Sequence, residues 1–113
     1  MYNLIIDEKD DTAIISISGE ITMTTVTDID NACKKFVNSG LRVFAIDLKN
    51  VIFIDSFGIS RIIKQSKAFA ANGTDFVLIN LNDNISQIFK IATFDKLFTI
   101  MNQSEFDSKY FDL

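Results

Sequence analysis

The sequence predicts an α/β domain built on a largely parallel sheet, and three observations predict it. Apolar and polar residues alternate near the N-terminus, as in a half-buried strand. Two later segments, "RVFAIDL" and "DFVLINL", are almost continuously apolar, as in strands covered on both faces. Between them, apolar residues recur at helical spacing. The predicted order is ββαβαβαβα, a mixed and largely parallel sheet of about 4–5 strands with about four helices.

The elements follow in chain order. "NLIIDEKDDTAIISISG" reads as two strands joined at Asp10-Asp11, with Ala13, Ile15 and Ile17 supplying the alternation. In "TTVTDIDNACKKFVNSG", Val26, Ile29, Cys33, Phe36 and Val37 make a helical stripe. Thr25 and Asp28 are spaced as a capping box, and Asn38-Ser39-Gly40 is a stop. A strand follows from about 42 to 48, and a second apolar run, 51–54, leads into Asp55-Ser56-Phe57-Gly58. Ile59, Ile62, Ile63, Ser66 and Ala70 then predict one helical face, closed by Asn72-Gly73. After "DFVLINL", a helix over "NISQIFKIA" is capped by Asn84, with Gln87 three residues on. "KLFTI" is a short last strand, and "NQSEFDSKYFDL" a last helix with Asn102 and Glu105 spaced as a capping box.

Bulk composition bounds the function. The 113 residues fit one domain spanning 1–113, and the eleven phenylalanines supply its core. A net charge of −4 without a basic cluster argues against nucleic acid, which needs grouped Lys and Arg to release counterions. The same lack argues against an anionic membrane surface. Histidine is absent, which removes histidine triads and the usual zinc sites. Cys33 is the single cysteine and lies on the apolar side of its helix, as a buried thiol would. The acidic start "MYNLIIDEKDD" is unlike a signal peptide, and no apolar segment is long enough to span a bilayer. A cytoplasmic location is expected.

The junction at 55–58 carries the chemistry. A strand handing over to a helix exposes the first helical N–H groups, which have no partner inside the helix. Asp55 or Ser56 can satisfy one of them as an N-cap contributing about 1 kcal/mol. The same N–H groups and the helix dipole also favour an anion, so a phosphate on the Ser56 hydroxyl would arrive in a receptive place. Both readings stand on the residues alone. Phe57 and Ile59, where exposed, would give a docking partner an apolar foothold.

From "SGEI" through "DLKNVIFIDSFGI" to "FDKLFTI", the chain resembles the STAS domains of bacterial anti-sigma factor antagonists. That family's core reads Asp-Ser-Ser-Gly and then an aliphatic residue. The resemblance implies that Ser56 is the phosphoacceptor and that Asp55 and Gly58 support it. Phe57 stands where a second serine is common, and Thr22 where an aspartate often follows the "GEL"-like tripeptide. Both departures imply altered partner choice, with Thr22, Phe57 and Ile59 at the interface. The resemblance further implies an anti-sigma factor that is a serine kinase of the histidine-kinase-like ATPase type, and a PP2C-like phosphatase. In such a cycle ATP, magnesium and the catalytic base belong to the kinase, so this chain needs no cofactor and is no enzyme.

Other candidates weigh less. Ser60 reads as a solvated helix serine, and Thr22, Thr24 and Thr25 as capping residues. Glu20, Asp47 and Asp55 show no spacing that would converge two carboxylates on one pocket. STAS domains also serve in stress-signalling scaffolds, in lipid-transport complexes and as tails of anion transporters; the missing membrane span counts against the last. A nucleotide-binding module lacks its glycine-rich signature here.

Overall fold

The computed structural model describes residues 2–111. Its five strands lie side by side in chain order: β1 (Asn3–Lys9), β2 (Thr12–Ile21), β3 (Val43–Ile54), β4 (Asp75–Ile79) and β5 (Thr99–Met101). Only β1 and β2 are antiparallel; the other neighbouring pairs are parallel. Four helices connect or follow them: α1 (Val26–Phe36), α2 (Ser56–Ala71), α3 (Asp83–Ile91) and α4 (Gln103–Tyr110). The predicted order and class are therefore found.

Strand alternation sorts the side chains onto two faces. One face presents Ile15, Ile17, Phe44, Ile46, Leu48 and Leu78 to the apolar sides of α1, α2 and α3, which makes the main core. The opposite face presents Val43, Ala45, Val77 and Ile79 to Phe106 and Tyr110 of α4. The sheet centre is thus covered twice, which explains the unbroken apolar runs. Tyr110 ties the second layer down by donating from its hydroxyl to Asp75 Oδ2 at 2.8 Å. Cys33 is buried, and burial together with the charge of Asp30 pushes its thiol up to about 12.

Several boundaries differ from the sequence reading, each for a local reason. The strand expected over 42–48 continues to Ile54, because the 51–54 run pairs with the end of β2 across two register shifts. Gly19 absorbs one of these with φ 96°. Thr25 occupies the N-cap of α1 but makes no capping bond with its side chain. Its Oγ1 instead accepts from the Thr22 amide at 2.8 Å and donates to the Glu20 carbonyl at 2.9 Å. Helix α3 starts earlier than expected, with Asn82 as its cap; Asn84 instead donates to the Ile52 carbonyl. Asn82 also donates to the Val51 carbonyl at 2.7 Å, so one side chain holds both a helix and a strand end. The last strand is shorter than "KLFTI": Thr93 turns left-handed at φ 59° and a 3-10 turn occupies Phe94–Lys96. At α4 the expected Asn102–Glu105 capping box is present, and the remainder of that segment, 112–113, lies outside the described residues.

Candidate functional site

The site is built where β3 ends. Asp55 is extended (φ −89°, ψ 179°) and is the N-cap of α2. Its Oδ1 accepts from the Gly58 amide at 2.8 Å, so the aspartate, not the serine, caps the helix. Its Oδ2 accepts from the Met23 amide at 3.3 Å, which ties the β2–α1 loop to the start of α2. Asp55 also donates its own amide to the Ile21 carbonyl at 3.1 Å.

With the cap taken by Asp55, Ser56 is the first residue of α2 and is exposed. Among the described residues its hydroxyl forms no side-chain hydrogen bond, although Ser39 and Ser66 each bond a nearby carbonyl. Asp55 satisfies only the third N–H of the helix. The amides of Ser56 and Phe57 have no acceptor within the helix, at the positive end of its dipole.

Gly58 is glycine for a different reason than a tight turn, since it lies within the first turn of a regular helix. A Cβ there would stand 2.7 Å from the Ile21 carbonyl oxygen and 2.8 Å from Ile21 Cγ2. The first turn of α2 therefore sits directly on the end of β2, and only a hydrogen fits between them. Alanine would gain about 1 kcal/mol of helix propensity but meet backbone, where overpacking costs about 1–3 kcal/mol. Gly58→Ala should therefore lower stability by about 1–2 kcal/mol, read as a lower urea midpoint at unchanged slope.

The predicted interface residues divide. Phe57 is 53% exposed, as a docking residue must be. Ile59 is only 6% exposed and belongs to the main core, so the expectation of an open foothold there is corrected. Two residues beyond the exposed Phe57, it has turned about 200° around the helix and toward the sheet. What Ile59 does is form part of the wall of a shallow cleft of about 290 Å³, with Ser56, Ser60, Ile63 and Phe94. Thr22 is half-buried, and its side chain and carbonyl hold the loop together through Thr24, Thr25 and Val26.

Sequence reasoning missed Met23, which is 59% exposed and bonded through its amide to Asp55. It also missed Phe94 beside Ser56 and the exposed pair Ile52 and Phe53. No periodicity marks these residues, because loops and strand ends bring them together. Glu20, Asp47 and Asp55 do not form a catalytic set: Asp47 accepts from the Lys49 amide and from Asn80, while Asp55 holds Met23 and Gly58. The described residues contain no cluster of acidic, cysteine or histidine side chains fit to hold a metal ion. None of their helices is long and apolar enough to cross a membrane.

A five-stranded sheet in chain order, three helices on one face and one on the other, and an aspartate-capped helix beginning at an exposed serine define a small α/β domain. The STAS domain pattern matches residues 3–106, and the chain belongs to that family. An anti-sigma-B factor antagonist of Staphylococcus aureus is 23% identical over 91 residues, covering 80% of this chain and 84% of that protein. The protein of the same description from Listeria monocytogenes is 29% identical over 99 residues, covering 86% of each. The anti-sigma factor antagonist SpoIIAA in its unphosphorylated form superposes with a TM-score of 0.80 over 98% of both chains at 13% identity. The Bacillus SpoIIAA in its phosphorylated form gives 0.72 over 95% of this chain and 98% of that one, at 14% identity. At such identities the structural likeness is one of fold.

Proposed function

We propose that this chain is an anti-sigma factor antagonist switched by phosphorylation of Ser56. Unphosphorylated, it binds an anti-sigma factor that is also a serine kinase with a histidine-kinase-like ATPase fold, and so releases the sigma factor. In the transfer, Ser56 Oγ attacks the γ-phosphorus of ATP, the bond to ADP breaks, and the hydroxyl proton goes to a base of the kinase. A PP2C-like phosphatase hydrolyses the ester and restores the hydroxyl. This chain is then a substrate and a docking surface and performs no catalysis itself.

The observation that carries the reading is the division of labour between Asp55 and Ser56. A serine used as the cap would be spoken for; here the carboxylate caps and the neighbouring hydroxyl stands free and exposed. Family membership and the names of the relatives agree with it. A phosphate of charge about −1.5 to −2 would stand beside the open amides of Ser56 and Phe57, which its own chain tolerates. Beside it lie Phe57, Met23 and the cleft walled by Ile59, Ile63 and Phe94, where a partner's apolar side chains would have to desolvate that charge. Incubation with the cognate kinase and ATP should add one phosphate, mapped by mass spectrometry to Ser56. A Ser56→Ala chain modified to the same extent would overturn the assignment.

A further inference from the structure

The sheet has an open edge that the proposed switch does not use. Strand β1 pairs only with β2, in an unbroken ladder from Asn3↔Ser18 to Lys9↔Thr12, with no bulge. Regular, unpaired edges are templates for another strand, and proteins usually blunt them with charge, proline or a bulge. Here the charges Asp7, Glu8 and Lys9 occupy only the far end, and Ile5 is 57% exposed. On the helix-side face, Tyr2, Leu4 and Ile6 line one wall of a groove of about 490 Å³, and Asp28, Asn31, Ala32 and Lys35 of α1 line the other. The Tyr2 hydroxyl is buried there beside Asp28 without closing a hydrogen bond, and burial and that carboxylate push it up to about 12.

We propose that this edge joins a second copy of the same chain, strand β1 to strand β1 about a twofold axis, to make one continuous sheet across the dimer. The sequence of β1 selects the register. With Ile5 opposite Ile5, Leu4 meets Ile6, Asn3 meets Asp7 and Tyr2 meets Glu8. No like charges face each other, and the apolar residues meet one another. Centring on Ile6 instead would set Leu4 against Glu8 and Ile5 against Asp7.

Charge complementarity in the helix layer agrees. Asp28 lies in the first turn of α1 and Lys35 in its last, and both line the groove beside β1. The twofold axis that makes the strands antiparallel also reverses α1, so Asp28 of each copy faces Lys35 of the other across the joined grooves. Ser56 lies past the end of β3, with β2 between that strand and the edge, so the dimer leaves the phosphorylation face open.

Light scattering on the full chain over a concentration series tests this. The expected mass is twice the 12.7 kDa of one chain at the upper concentrations. Ile5→Lys, at an exposed position, should give a folded monomer that melts like the wild-type chain diluted until it too is monomeric. Lys35→Glu should weaken the dimer about tenfold through two repelling contacts, and adding Asp28→Lys should restore it. A wild-type monomer throughout the series would overturn the proposal, as would a dimer indifferent to Ile5→Lys. A double charge reversal no better than the single one would do the same for this register.

Discussion

Ser56→Asp should bind the anti-sigma kinase far more weakly than Ser56→Ala, which should bind close to wild type. Alanine removes a hydroxyl that makes no side-chain hydrogen bond within the described chain, so little is lost. Aspartate puts a carboxylate between Phe57 and the cleft walled by Ile59, Ile63 and Phe94, where docking must strip its water. An uncompensated charge in such a contact costs about 2–5 kcal/mol, or about thirtyfold to several thousandfold in Kd. Isothermal titration of both variants against the purified kinase measures the difference. Equal affinities for the two would show that the face around Ser56 is not part of the contact.

Phe69→Ala should cost about 3–5 kcal/mol, which is enough to unfold a marginal domain of this size. Phe69 is completely buried and its ring stacks on Phe44 with centroids 4.3 Å apart. Phe76 lies 5.7 Å from Phe69 and 5.8 Å from Phe44, so the three rings support one another between α2, β3 and β4. Removing one ring of such a cluster leaves a cavity that stiff neighbours cannot close. Urea titration followed by circular dichroism reads the loss, and a change below about 1 kcal/mol would mean that the site collapses freely.

Phe69 also shows where the sequence could and could not be read. The helical stripe drawn through Ile59, Ile62, Ile63, Ser66 and Ala70 has the right elements but ends on the wrong side. Ile59 and Ile62 are buried as expected; Ala70 is exposed and Phe69 takes the inward place. Both residues are apolar, and the choice between them is made by the Phe44 ring on another strand. The hairpin at Asp10-Asp11 and the Asn102–Glu105 box were legible because their partners lie within a few residues. The cap of α3 was not, since Asn82 is fixed by carbonyls of β3 more than 30 positions earlier. At the site, the Asp55-Ser56 pair was visible from chain order alone, but which of the two caps the helix was not. Gly58 was also visible, yet its need for glycine comes from the backbone of Ile21, which no local pattern reveals.

The two oxygens of Asp55 grip separate parts of the molecule, one on Gly58 and the other on Met23. They act as a single rigid clasp, so neither grip can be altered in isolation. An anionic group on Ser56 would repel this neighbouring carboxylate. Whatever loosens the hold on the helix also slackens the leash on an exposed methionine more than 30 residues upstream. A charge placed at one atom would thereby be felt in a loop that is distant along the chain.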